Sequence, residues 1–186
     1  MNNSPLFLFV GKSASGKTTV ADMLAKDGYS QIASYTTRAP RYDGEIGHIF
    51  VTDEEYDKLE DIMASTLYNG HRYCTTLEQV QEADIYVVDV PGVETLMQNY
   101  DRLGREVYVL YFTVGVYHRI NRMISRGDSD AHIIERLLYD EKDSWQDRLM
   151  DLNENRKLFT LRVVAANDPI EVVYNRVKTY IQSKTK

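Results

Sequence analysis

A chain of 186 residues, 43% hydrophobic and 27% charged, carries enough apolar side chain for one buried domain and is no disordered polymer. Its formal net charge of −6 offers no broad positive field to a nucleic-acid backbone or an anionic membrane, and no stretch nears the roughly 20 apolar residues that cross a bilayer. The single cysteine, Cys74, excludes an intrachain disulfide and suits a reducing cytoplasm.

The first element is an apolar run, Leu6 to Val10, which the pattern predicts as a strand buried on both faces. That run is too short for a signal-peptide core, and no basic residue precedes it. A Gly/Ser turn follows, then a helical pattern in which Val20, Met23 and Leu24 share a face. Further apolar runs at 85–90, Val107–Phe112 and Leu161–Ala165 read as buried strands. Helical candidates lie between and after them at 92–103, 116–126, 131–151 and 169–182. Buried strands alternating with helices predict an α/β fold with a mostly parallel central sheet in three layers. The polar stretch 34–75, with short β-like pieces, breaks that rhythm and is expected to form an inserted acceptor-binding lobe. The core is then 1–33 with 76–186, and a helical lid is expected at about 122–145.

The turn after the first strand is Gly11-Lys12-Ser13-Ala14-Ser15-Gly16-Lys17-Thr18, a complete G-x-x-x-x-G-K-[ST] sequence between a strand and a helix. Glycine lets successive N–H groups turn toward phosphate oxygens beside the positive end of a helix. Gly11, Ser13, Ala14, Ser15, Gly16, Lys17, Thr18 and Thr19 are therefore expected to hold ATP. Lys17 reaches the transferred phosphate, and the Thr18 hydroxyl ligates Mg2+. This loop names a phosphoryl donor and leaves the acceptor open.

The stretch Ser34-Tyr35-Thr36-Thr37-Arg38-Ala39-Pro40-Arg41 places two arginines three residues apart among hydroxyls, a donor set suited to a doubly charged phosphate. A solvated basic loop would look the same. With this stretch in view, the order of motifs resembles the guanylate kinases and their relatives. Gly44-Glu45-Ile46-Gly47-His48-Ile49-Phe50-Val51, Asn69-Gly70-His71-Arg72-Tyr73-Cys74-Thr75 and Val87-Val88-Asp89-Val90 are similar to further family segments in the same order. So are Arg122, Arg126-Gly127 and Arg136, and finally Asn167-Asp168, so that the resemblance covers about 160 residues.

The resemblance implies that Ser34, Arg38, Arg41, Tyr73 and Thr75 hold the acceptor's phosphate, with His48 standing where the family has a phosphate-binding tyrosine. It implies that Arg126 and Arg136 close over the bridging phosphates as catalytic groups beside Lys17, and that Asn167 and Asp168 lie near the adenine. Arg122 fits a lid role or a plain helix face equally. Asp89 is expected to orient the metal through water; a turn-initiating aspartate before Pro91-Gly92 is the alternative. Two departures fall on base recognition: Ala64 and Pro91 stand where the family's guanine-reading acids are expected, and neither side chain accepts a hydrogen bond. Glu60 or Asp61 are the nearby acids that can substitute.

Three functions fit these residues. The leading one is a kinase using ATP and Mg2+ to phosphorylate (d)GMP or another (d)NMP, acting as a monomer or homodimer on a small-molecule substrate, with no nucleic acid or membrane as partner. The second is a kinase of a phosphorylated sugar such as a ribose bisphosphate, which needs the phosphate grip without the base-reading acids. The third is a catalytically silent protein-binding module on the same fold, opposed by the intact Lys17 and Thr18.

Overall fold

The computed structural model describes residues 4–40, 43–141 and 144–185, with Arg156 described by its backbone alone. The strand β1 (Leu6–Gly11) is buried along its whole length. It pairs in parallel with β6 (Ile85–Val87) on one side and β7 (Val107–Thr113) on the other, and β8 (Thr160–Ala165) extends the sheet beyond β7. The order is therefore β6-β1-β7-β8, all parallel.

Alternation along β1 makes the three layers. Leu6, Leu8 and Val10 enter one apolar cluster, and Phe7 and Phe9 enter the other. Successive strand side chains point to opposite faces, so a strand buried on both must be apolar throughout. Each of these five side chains contributes about 1.5–3 kcal/mol by burial. The first face is covered by α3 (Leu77–Glu82), α4 (Val90–Gln98), α5 (Tyr100–Leu103) and α8 (Trp145–Arg156) through Val80, Leu96, Leu103 and Leu149. The second is covered by α1 (Lys17–Lys26) and α9 (Ile170–Gln182), the latter through a stripe of Val173, Val177 and Ile181.

Between α1 and β6 the chain builds a second sheet in the order β3-β2-β5-β4, from β2 (Ser34–Thr36), β3 (His48–Phe50), β4 (Ile62–Tyr68) and β5 (His71–Thr76). The short helix α2 (Asp53–Tyr56) starts in a Thr52–Glu55 capping box. Strands β4 and β5 form a hairpin turned by Asn69 and Gly70, both at positive φ. Asn-Gly is the pair that such a two-residue turn favours.

Four expectations change, the first being that the candidate helix 92–103 is two helices, α4 and α5, which meet at Asn99. The candidate helix 131–151 is two helices, α7 (Asp130–Asp140) and α8, and Ser144 takes extended backbone as the N-cap of the second. The apolar run 85–90 is strand only to Val87, because Asp89 accepts the Gly92 N–H and starts α4 with Pro91 in its first turn. The run from Leu161 forms the edge strand β8, which leaves Val163 half exposed rather than buried on both faces. No helix among the described residues is long and apolar enough to cross a membrane.

Candidate functional site

The loop from Gly11 to Gly16 leaves the C-terminal end of β1, where the sheet order reverses between β6 and β7; open parallel sheets bind ligands at such points. Gly11 sits where a Cβ would come within 2.7 Å of the Phe112 carbonyl, so only glycine lets β1 pass β7 there. Gly16 caps α1 at φ +91°, and no side chain caps that helix end. The N–H groups of Lys17, Thr18 and Thr19 therefore lack helical partners and carry the positive end of the helix dipole. Inside the loop the Ser15 hydroxyl is buried with no partner among the described residues.

Lys17 lies where two chambers meet. One chamber is walled by the loop from Ala14 to Thr19 together with Arg122 and Arg126. It adjoins a second hollow that shares Gly16, Thr19 and Arg122 and reaches Asn167 and Asp168. Arg122 fastens this side, donating to the carbonyls of Ala14 at 3.2 Å and Ala166 at 2.8 Å. The Asn167 side chain accepts the Gly115 N–H at 3.0 Å, and Asp168 pairs with Arg176 at 2.8 Å. The guanidinium of Arg126 is turned to Asp128, with Nε at 2.9 Å from the carboxylate.

The other chamber opens on the opposite side of Lys17, toward the second sheet. Gly11, Ser13 and Lys17 form its floor, and Ser34, His48 and Tyr73 line its far wall. The Ser34 hydroxyl and His48 Nδ1 are 3.0 Å apart, and the His48 and Tyr73 rings meet edge to face. Arg136, on α7, also lines this cleft and makes no hydrogen bond or ion pair with any described residue. Three aromatic rings close one end: Tyr68 packs edge-on to Tyr139 at 4.5 Å, and Tyr139 edge-on to Trp145. Beside them the Thr66 hydroxyl donates to Asp89 at 2.9 Å.

Charge follows from burial here. Desolvation lowers the Lys17 ammonium to about 8; Asp140 and Asp89 oppose that shift, and Arg136 and Arg119 add to it. Burial pushes the Asp89 carboxyl above its ordinary range, against the hydrogen bonds from Gly92 and Thr66. A cation held short of counter-charge beside an uncapped helix end favours an anion.

The structure thus gathers most of the residues singled out in the sequence, and separates some. Arg38 is not among the residues that line the cleft. Its guanidinium forks onto Glu45 at 2.9 and 3.1 Å and lies over the Phe50 ring, while its Nε is buried with no partner among the described residues. Thr75 is fully buried, turned to Gln79 at 2.8 Å, and does not line the cleft. Arg41 lies outside the described residues. Asp89 caps α4, the turn-initiating alternative, and its side chain also lines the cleft.

Glu60 and Asp61 line a different cavity, of about 600 Å³, together with Glu78 and Glu82. The four carboxylates there, with no basic side chain in its lining, repel a phosphate. Ala64, on β4, is buried in the core, and Pro91 sits in the first turn of α4, so neither position offers a hydrogen bond to the cleft. Four residues were given no role in the sequence: Lys12, Arg119, Asp140 and Glu141, which tie the phosphate loop to α6 (Val116–Ser125) and α7. Their only linear signal is two acids ending a helix, against the dipole preference for cations there.

No family model and no curated protein matches the sequence. Among solved structures the chain is similar to a guanylate kinase from Anaplasma phagocytophilum, with a TM-score of 0.60 and 17% identity, over 100% of this chain and 88% of that one. At that identity the likeness speaks for architecture: a P-loop fold of guanylate kinase-like form, with helices on both faces of a four-stranded parallel sheet.

Proposed function

We propose that the chain is an ATP-dependent phosphotransferase whose acceptor is a nucleoside monophosphate, (d)GMP or another (d)NMP. The observation that carries this is Lys17 at the junction of two chambers, one along the phosphate loop and one facing the aromatic cleft. An ammonium there can contact a phosphoryl group in transit between two ligands bound end to end.

On the donor side, the amides from Ala14 to Thr19 would hold the phosphates of ATP, and the hollow by Asn167 and Asp168 its base. On the acceptor side Ser34, His48 and Tyr73 would hold the acceptor's phosphate, with Arg38 supporting the wall behind them. Arg136 would neutralise charge as transfer proceeds, and Arg126 would join it from the donor side on leaving Asp128. The residues fit Mg2+, which keeps most of its waters and needs no protein cage: the Thr18 hydroxyl is exposed in the donor chamber and Asp89 faces the cleft. Held by Thr18 and Asp89, the ion would supply positive charge to screen the phosphates. No side-chain nucleophile is required, because positioning and charge neutralisation supply most of the rate.

The rings of Tyr68, Tyr139 and Trp145 favour an acceptor with a planar base. A phosphorylated sugar is the second reading, favoured by the burial of Ala64 and the helical place of Pro91, which leave no base-reading acid at either position. A panel of (d)NMPs and sugar phosphates, followed by ADP release with ATP–Mg2+, tests both. Turnover with at least one (d)NMP is expected. Turnover with sugar phosphates alone moves the assignment to the second reading, and no saturable ATP binding moves it to a silent binding module.

A further inference from the structure

Apart from the residues recognised in the sequence, one cluster of buried charge sits between α7 and the phosphate loop. Asp140, the last residue of α7, pairs with Arg119 of α6, and both side chains are 2% exposed. The same Asp140 oxygen accepts the Ser13 N–H at 2.8 Å, while Arg119 Nε donates to the Ser13 carbonyl at 3.0 Å. Arg119 also reaches Glu141 at 3.1 Å, and Glu141 meets Lys12 at 2.7 Å. Both backbone polar groups of Ser13 are thus held by this pair, and a second ion pair repeats the tie one residue away.

Burying two charges is costly unless their remaining hydrogen-bonding capacity is filled. An ion pair serving only to pack α6 on α7 would not need the loop backbone to fill it; this one uses Ser13 on both sides. Arg136 lies four residues before Asp140, one turn earlier on the same face of α7. It is the guanidinium that faces the cleft without a described partner, so nothing on its own side chain sets its place. Its place is set by where the helix docks.

We propose that Asp140 is a positioning residue: by tying α7 to Ser13 of the phosphate loop, with Arg119 as its counter-ion, it sets Arg136 across the cleft from Lys17. This rests on the phosphotransferase reading above. Asp140 also borders the cleft, but its carboxylate is spent on Ser13 and Arg119, so the tie acts on the transition state through the group it holds more than on ligand capture.

The test compares Asp140→Asn, Arg136→Ala and the double variant with ATP and the best acceptor from the panel. Asp140→Asn is expected to lower kcat about tenfold or more while acceptor KM moves less than about threefold. Added to Arg136→Ala, it costs no more than about a further twofold, since the group it positions is already gone. An unchanged kcat in Asp140→Asn, or losses that multiply in the double variant, overturns the proposal. Amide exchange on nucleotide-free protein reads the tie without turnover: Asp140→Asn is expected to speed exchange across residues 11–18 and 130–141, and unchanged exchange in both overturns it. A wild-type chain inert toward every acceptor sinks the phosphotransferase reading, while exchange still judges the tie. Should Asp140→Asn fail to fold, Arg119→Lys keeps the charge, loses the fork, and is compared in the same way.

Discussion

Burial lowers the Lys17 ammonium to about 8; it donates to the Lys12 carbonyl at 3.3 Å, and the charges of Asp140 and Asp89 oppose the shift without an ion pair to either. A lysine placed so is a poor contributor to stability and a good partner for a phosphate, since the arriving anion supplies the counter-charge that the fold withholds. Lys17→Ala is expected to reduce phosphoryl transfer by about a hundredfold or more with every acceptor while the chain stays folded, measured by ADP release beside thermal unfolding. Asp89 caps α4, and a substitution can part that role from the metal role proposed for it. Asparagine keeps an oxygen for the Gly92 N–H and so keeps the helix cap, whereas alanine removes it. Asp89→Ala should cost about 0.5–2 kcal/mol in urea unfolding and Asp89→Asn distinctly less. Both should lose Mg2+-dependent turnover alike if the charge is what the reaction uses. Equal stability losses would show that the cap is not what Asp89 supplies to α4.

Among the elements, α1 and α9 are joined at an end remote from Lys17. Asp27, the C-cap of α1, accepts the Tyr174 hydroxyl and pairs with Lys178 at 3.0 Å. The Tyr174 hydroxyl first, then Lys178, holds the Asp27 carboxyl below its ordinary range. A carboxyl depressed in the folded chain adds stability above its unfolded pKa of about 3.9 and loses it as pH falls through the folded value. The gap in Tm between wild type and Asp27→Asn is therefore expected to be full at neutral pH and to close below about pH 4. A gap that stayed constant down to pH 2.5, well below about 3.9, would assign the contact to packing instead. The hairpin of β4 and β5 turns on Asn69-Gly70, a local signal that the reading of 34–75 as short β-like pieces left unused. The split of α7 from α8 was not legible. The 3.6-residue periodicity runs on through 131–151, and what ends α7 is a set of partners on α6 and the phosphate loop.

For the whole molecule, the two chambers meet only at Lys17 and its neighbours, so a ligand spanning both should bind more tightly than either half. A dinucleoside polyphosphate of matching length is expected to raise Tm above the shift from ATP and NMP tested singly. Occupancy at about a hundred times Kd stabilises by about 2.7 kcal/mol, and linking the halves lowers Kd itself. Equal shifts from the spanning ligand and from ATP alone would mean that the chambers are not bound end to end.

The sequence by itself determined the architecture around the glycine-rich turn. An all-apolar strand, a glycine-rich turn and an amphipathic helix are local patterns, and local backbone chemistry suffices to place Lys17 at the helix start. Tertiary structure alone decided which charges face one another: it moved Arg38 onto Glu45, turned Thr75 to Gln79, put Glu60 and Asp61 in an acidic hollow, and set Asp140 on Ser13. The physical reason is range. Helix caps and glycine turns act within a few residues, whereas a buried guanidinium is satisfied by any carboxylate or carbonyl the fold brings near, and those lie 21 and 106 residues from Arg119.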